Sequence, residues 1–128
     1  MKKLIYSFIA AFSLLTSCTS QTPITLLSPK DFSNAVKTDS LAIILDIRKP
    51  DEYTKGHIEG ATNIDWLNKE AFKEETEKLD RRYTYYIYCR SGRRSNAAAK
   101  QLQANGFKVV DMDGGILRWQ ELGMPTIK

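Results

Sequence analysis

The sequence predicts an α/β domain with a mainly parallel central sheet flanked by helices. Three observations carry that prediction. Leu41-Ala42-Ile43-Ile44-Leu45-Asp46 is an apolar run bounded by polar residues, the pattern of a strand covered on both faces. Tyr83-Thr84-Tyr85-Tyr86-Ile87-Tyr88 is a second strand-forming run, and it leads through a glycine-containing loop into a helical pattern. Along the whole chain, strand-like and helix-like segments alternate, and helical crossovers are what parallel strands require.

The elements follow in order. Ile24 to Leu27 reads as a short first strand, inside a segment, 18–27, that otherwise reads as a polar tether. Ser28 is placed as a helix N-cap with Pro29 at the first helical position, and Phe32, Ala35 and Val36 give that helix one apolar stripe. After the Leu41–Asp46 strand, Lys49-Pro50-Asp51-Glu52-Tyr53 turns and starts a short helix, and Ala61-Thr62-Asn63-Ile64 is a short strand. Lys69 to Leu79 is a charged surface helix with Phe72, Thr76 and Leu79 on its inner side. Tyr83 to Tyr88 is the next strand; alternation puts Tyr86 and Tyr88 on one face, lining a pocket or packing on a helix. Asn96 to Asn105 is a helix that Gly106 ends, Phe107 to Met112 is a strand, and Gly114-Gly115 opens a last helix carrying Ile116, Leu117, Trp119 and Leu122.

Composition excludes several classes. At 128 residues, 42% hydrophobic and 27% charged, the chain is an ordinary globular protein with room for one core. The net charge is +4; setting aside Lys2 and Lys3 leaves 17 basic against 15 acidic residues, which is no footprint for nucleic acid. His57, the one histidine, sits between Gly56 and Ile58 and is open to a role as general base or as hydrogen-bonded framework. One histidine and one free cysteine do not make a metal site, and no cofactor is expected.

The first residues read as a targeting segment. Met1-Lys2-Lys3 is a positive start, and Leu4 to Leu15, 12 residues, is apolar apart from Tyr6, Ser7 and Ser13, too short to span a bilayer comfortably. It ends in Leu15-Thr16-Ser17-Cys18, which resembles the lipobox of bacterial lipoproteins. That resemblance implies a signal peptide over 1–17, cleavage before Cys18, and lipid, palmitate included, on Cys18. The alternative is an ordinary secretory signal with a stray cysteine. The expectation is a protein exported and lipid-anchored to a bacterial membrane facing the periplasm, with its globular domain over 28–128. Cys89 is then the one thiol of the mature chain, and it has no partner for an internal disulfide.

The chemistry concentrates in Cys89-Arg90-Ser91-Gly92-Arg93-Arg94-Ser95. A cysteine at a strand end, a tight loop and a helix start together bring backbone N–H groups to one point, an anion cradle around a nucleophilic sulfur. A buried structural cysteine is the alternative; the three arginines around Cys89 argue against it. Arg90 and Arg93 are candidates to attract an oxyanion, with solvated surface charge an equal reading for Arg93. Spacing weighs against cysteine-dependent phosphatase or arsenate reductase chemistry: a phosphate cradle needs C-x-x-x-x-x-R, whereas Arg94 follows four intervening residues.

The loop resembles the active-site loop of the rhodanese family of sulfurtransferases. Two other stretches share the resemblance: Asp46-Ile47-Arg48 with Glu52-Tyr53 and Gly56-His57-Ile58-Glu59-Gly60-Ala61-Thr62-Asn63-Ile64, and Gly114-Gly115-Ile116 with Trp119. It implies the rhodanese-like three-layer fold and a single-domain thiosulfate sulfurtransferase. Cys89 would be the nucleophile and persulfide carrier, and the amides of Arg90, Ser91, Gly92, Arg93 and Arg94 would bind the substrate sulfur. The partners implied are a small sulfur-containing anion and a thiol acceptor. A persulfide carrier that does not turn over, or a sulfur- or redox-sensing binding module, is the alternative within the family. Asp46 and Arg48, at a strand's C-terminal end, are expected to support the site structurally, by a salt bridge or by anchoring a loop.

Overall fold

The computed structural model describes residues 22–128; the targeting segment and Cys18 lie outside the described residues. Five strands alternate with five helices: β1 (Thr25–Leu27), α1 (Pro29–Thr38), β2 (Ala42–Asp46), α2 (Pro50–Lys55), β3 (Thr62–Asn63), α3 (Lys69–Glu77), β4 (Thr84–Tyr88), α4 (Arg93–Ala104), β5 (Lys108–Met112) and α5 (Gly115–Glu121). The strands form one sheet in the order β1-β5-β4-β2-β3, and every neighbouring pair is parallel. β1 pairs Thr25 with Val110 and Leu27 with Met112, so the sheet reaches back into the segment read from the sequence as tether.

Local chemistry explains the elements. Ser28 Oγ accepts the Asp31 N–H at 3.2 Å and Pro29 opens α1, as a capped helix start requires. Asn68 caps α3 by accepting from Ala71 N–H. Alternation along β4 divides its side chains between two cores. Tyr85, Ile87 and Cys89 face α3 and α4, among Leu45, Ile47, Phe72, Ala98, Ala99, Leu102 and Phe107. Tyr86 and Tyr88 face α1 and α5, among Phe32, Met112, Ile116 and Trp119. Both tyrosines therefore pack rather than line a pocket, Tyr86 edge-on to Phe32 with centroids 5.5 Å apart. Trp119 is buried and donates from Nε1 to the Pro125 carbonyl, while Trp66 sits at the rim with Lys69 over its ring.

One boundary differs from the sequence expectation. α4 begins at Arg93, not at Asn96. Gly92 takes φ +104° and turns the chain directly into the helix, so Arg93, Arg94 and the wholly buried Ser95 form its first turn. Those three polar residues have no apolar periodicity from which a helix could be read.

α5 approaches the loop after β4 very closely. Ile116 N–H donates to the Cys89 carbonyl at 2.9 Å and Leu117 N–H to the Arg90 carbonyl at 3.1 Å. Gly115 makes this possible: its φ is +63°, and a Cβ there would stand 2.3 Å from Arg90 O and 2.7 Å from Cys89 O. Gly123 has a similar φ, +71°, but open space around it. Gly123→Ala is therefore expected to cost only the left-handed backbone term, about 1–2 kcal/mol. Gly115→Ala adds a clash with main chain and is expected to cost ~3 kcal/mol or more. Urea unfolding of the two variants checks this; equal losses would refute the close approach.

Candidate active site

The C-terminal ends of β2, β4 and β5 converge, as open parallel sheets dictate for their sites. Cys89 directly follows β4 and is 1% exposed. Its Sγ accepts the Gly92 N–H at 3.1 Å, and its S–H donates to Ser95 Oγ at 3.4 Å. Ser95 Oγ in turn donates to the Gly92 carbonyl at 3.2 Å. The first α-helical bond of α4 runs from Asn96 N–H to Gly92 O, which leaves the amides of its first turn as donors toward the loop. Because the Cys89 and Arg90 carbonyls are bonded to α5, the trans peptides point the Arg90 and Ser91 N–H groups away from α5, and the Gly92 N–H is the one bonded to the sulfur. Cys89 is buried as a member of the α4-side core and still accepts the Gly92 N–H on its sulfur.

The arginines divide. Arg94 forms a two-pronged pair with Glu52 of α2, at 2.7 and 2.9 Å, so its guanidinium faces α2. The Arg94 guanidinium holds the Glu52 carboxyl down at about 2, against the opposing effect of partial burial. Arg90 and Arg93 are exposed, as is Ser91, beside the half-buried Gly92.

Asp46 and Arg48 form a buried hub. The Asp46 carboxylate is 0% exposed and takes Arg48 Nε and Nη2 at 2.9 and 2.6 Å, as well as the Arg48 main-chain N–H. Arg48 Nη2 also donates to the Gly56 carbonyl, tying the end of α2 to β2. Tyr88 O–H donates to Asp46 at 2.8 Å and accepts the Ile58 N–H at 3.0 Å. Burial, and then the Asp46 charge, push the Tyr88 phenol far above its ordinary range, so it stays a neutral donor. Asn63 Nδ2 donates to the Asp46 and Arg48 carbonyls, fastening β3. His57 is framework: its ring stacks on Tyr53 at 3.7 Å, with Nδ1 hydrogen-bonded to the Tyr53 carbonyl. Among the described residues no group of three or more His, Cys, Asp or Glu side chains is placed to hold a metal ion.

Four further residues belong to the site. In the sequence Glu52 lies inside a motif without a role of its own, Tyr88 is open to lining a pocket or packing on a helix, and Ser95 only closes the loop. Asp111 carried a weak signal: it is the one acidic residue inside an otherwise apolar run, Val109-Val110-Asp111-Met112. In the fold it is 1% exposed.

Because the Glu52 carboxyl is depressed in the folded protein, its pairing stabilises the fold fully above its ordinary value of 4.5 and is lost as pH falls toward about 2. Glu52→Gln is expected to flatten the acid limb of stability over that window and to differ most from wild type above it. Urea unfolding at a series of pH values checks this; identical acid limbs in the two proteins would refute the pairing.

Comparison with known proteins agrees with this geometry. The Rhodanese-like domain family matches residues 28–122. The chain is 31% identical over 94 residues to the putative sulfurtransferase YtwF of Bacillus subtilis, covering 73% of this chain and 88% of that protein. It is 32% identical over 89 residues to the thiosulfate sulfurtransferase PspE of Escherichia coli, covering 66% and 77%. Other curated relatives are longer, and the matched regions cover 58% and 49% of two of them. The crystal structure of a rhodanese-related protein from Thermoplasma volcanium superposes with a TM-score of 0.72 at 31% identity, over 80% of this chain and 97% of that one. Fold, site and sequence pattern agree: the chain belongs to the rhodanese-like domain family.

Proposed function

We propose that this protein is a sulfurtransferase that carries sulfane sulfur as a persulfide on Cys89, with thiosulfate as a donor. The observation that carries the reading is the Gly92 N–H held 3.1 Å from Cys89 Sγ, in a loop that presents amides rather than carbonyls. The Cys89 thiolate attacks the outer sulfur of thiosulfate and forms a new S–S bond. The bond to the sulfonate sulfur breaks, and its electron pair leaves with sulfite. The persulfide's terminal sulfur is then the anion, and preorganised donors stabilise it without having to reorient as water would. An acceptor thiolate attacks that outer sulfur and returns Cys89 as thiolate. Arg90 and Arg93, exposed at the rim, attract the dianionic donor. The loop's short span, Cys89 to Arg94, suits a sulfur atom better than a phosphate.

Intact-mass analysis after thiosulfate treatment is expected to show one added sulfur atom in wild type and none in Cys89→Ser. Thiosulfate:cyanide turnover is expected to fall at least about 1000-fold in that variant. Retention of either property without Cys89 would overturn the reading. Stoichiometric loading with negligible turnover would instead identify a carrier that hands its sulfur to a dedicated partner.

We further propose that the protein is exported and tethered to a bacterial membrane through lipid on Cys18, on the strength of the Lys2-Lys3 start, the Leu4–Leu15 apolar run and Leu15-Thr16-Ser17-Cys18. Several acyl chains hold a protein far more firmly than one. Cys18→Ala is expected to lose palmitate labelling and to move the protein from the membrane to the soluble fraction; unchanged partition would refute the anchor.

A further inference from the structure

Behind the cysteine loop lies a carboxyl group that the sulfur chemistry above does not use. Asp111 of β5 is 1% exposed, and its Oδ1 has no hydrogen-bond partner. It lines a cavity of about 220 Å³ together with Leu26, Ser91, Gly92, Asn96 and Gly114. Its sheet neighbours, Leu26 on β1 and Ile87 on β4, do not titrate. From the turn after β5 the charge of Asp113 acts on it, and Asp113 is itself paired to Arg118 at 3.0 Å. From α4 it meets Ser95 and Asn96. A carboxyl so buried, with one oxygen unpartnered, is costly to a fold, and such groups concentrate where their charge is used.

Ser95 connects this carboxyl to the sulfur. It is 0% exposed, and its hydroxyl accepts from the Cys89 S–H at 3.4 Å while donating to Gly92 O at 3.2 Å. A hydroxyl has one hydrogen to give. Once Cys89 becomes an anion it ceases to donate, and the Ser95 hydrogen has three acceptors competing for it: the Gly92 carbonyl, the sulfur and the Asp111 carboxyl.

We propose that Asp111 is a positioning residue for Cys89 that acts through Ser95: in its acid form it donates to Ser95 Oγ and releases the Ser95 hydrogen to the sulfur anion, and in its ionised form it draws that hydrogen to itself. This rests on Cys89 being the reacting group. Asp111 ionises by releasing one proton to water, and no other bond changes. Burial pushes the Asp111 carboxyl up to about 6, while Ser95 and the Met112 amide pull the other way and the Asp113 charge adds to the rise. The switch therefore falls just below neutral pH.

The test is the pH dependence, from about pH 5 to about pH 9, of Cys89 alkylation by iodoacetamide in the full chain, read at Cys89 by peptide mass spectrometry. Wild type is expected to show two inflections, one from the thiol itself and one near 6 from Asp111. Asp111→Asn keeps the shape and removes the titration. It is expected to lose the lower inflection and to react roughly 3- to 10-fold faster than wild type above it, the size of one hydrogen bond to the sulfur anion. Ser95→Ala is expected to lose the lower inflection without the gain in rate. A lower inflection that persists in Asp111→Asn, or its absence from wild type, overturns the proposal. If Asp111→Asn does not fold, Ser95→Ala decides alone: loss of the inflection supports the coupling and retention overturns it. Thiosulfate loading of the same proteins separates the two readings. Coupling seen in alkylation with no sulfur on Cys89 defeats the sulfurtransferase reading alone. Sulfur loading with a pH profile indifferent to Asp111→Asn defeats this inference alone.

Discussion

Two backbone hydrogen bonds decide what the active-site sulfur meets. Ile116 and Leu117 give their N–H groups to the carbonyls of Cys89 and Arg90. Left free, those oxygens could turn inward and repel an anion. Bonded to α5, they leave the loop's donors facing the sulfur, with Gly92 N–H already in place. The arrangement depends on the absence of a side chain at Gly115, because a Cβ would occupy the space where the two main chains touch. A residue 26 positions away in sequence thus sets the electrostatics of the cysteine.

The rest of the site holds the edges of this loop in place. On the β2 side the Asp46–Arg48 pair is buried, and a buried ion pair is worth little unless its remaining donors and acceptors are satisfied. Here Tyr88, Gly56 and the Arg48 amide satisfy them, so the pair acts as a rivet between β2, β4 and the end of α2. At the far end of the loop, Glu52 grips Arg94. These contacts fix the loop in the fold, so under the proposed sulfur transfer the cost of orienting its donors is met in folding.

Much of this was legible in the chain. The Ser28–Pro29 start, the apolar run at β2, the alternation of β4 and the terminating Gly106 each carry a local signal, and each element appears where that signal lies. The start of α4 did not, because its first turn is built from Arg93, Arg94 and Ser95, whose helical state follows from Gly92 and from packing rather than from periodicity. The supporting partners were illegible for a different reason. Arg94 finds Glu52 across 42 positions, and Tyr88 finds Asp46 across another 42. No spacing rule within one element pairs such residues; only the strand order β1-β5-β4-β2-β3 brings them together. Asp111 stood out in its strand, but its meaning depends on Ser95 lying opposite it on α4.

Membership of the rhodanese-like family, a buried cysteine at a strand end and the Gly92 N–H on its sulfur support the proposed reading, in which the loop holds a second sulfur on Cys89. The most direct measurement is a high-resolution crystal structure of the protein after thiosulfate treatment. The account predicts a second sulfur bonded to Cys89 Sγ and lying within hydrogen-bond reach of the Arg90–Arg94 amides, with the α5 bonds to the Cys89 and Arg90 carbonyls unchanged. A sulfur that points away from those amides into solvent, or a loop whose carbonyls turn in to meet it, would contradict the account.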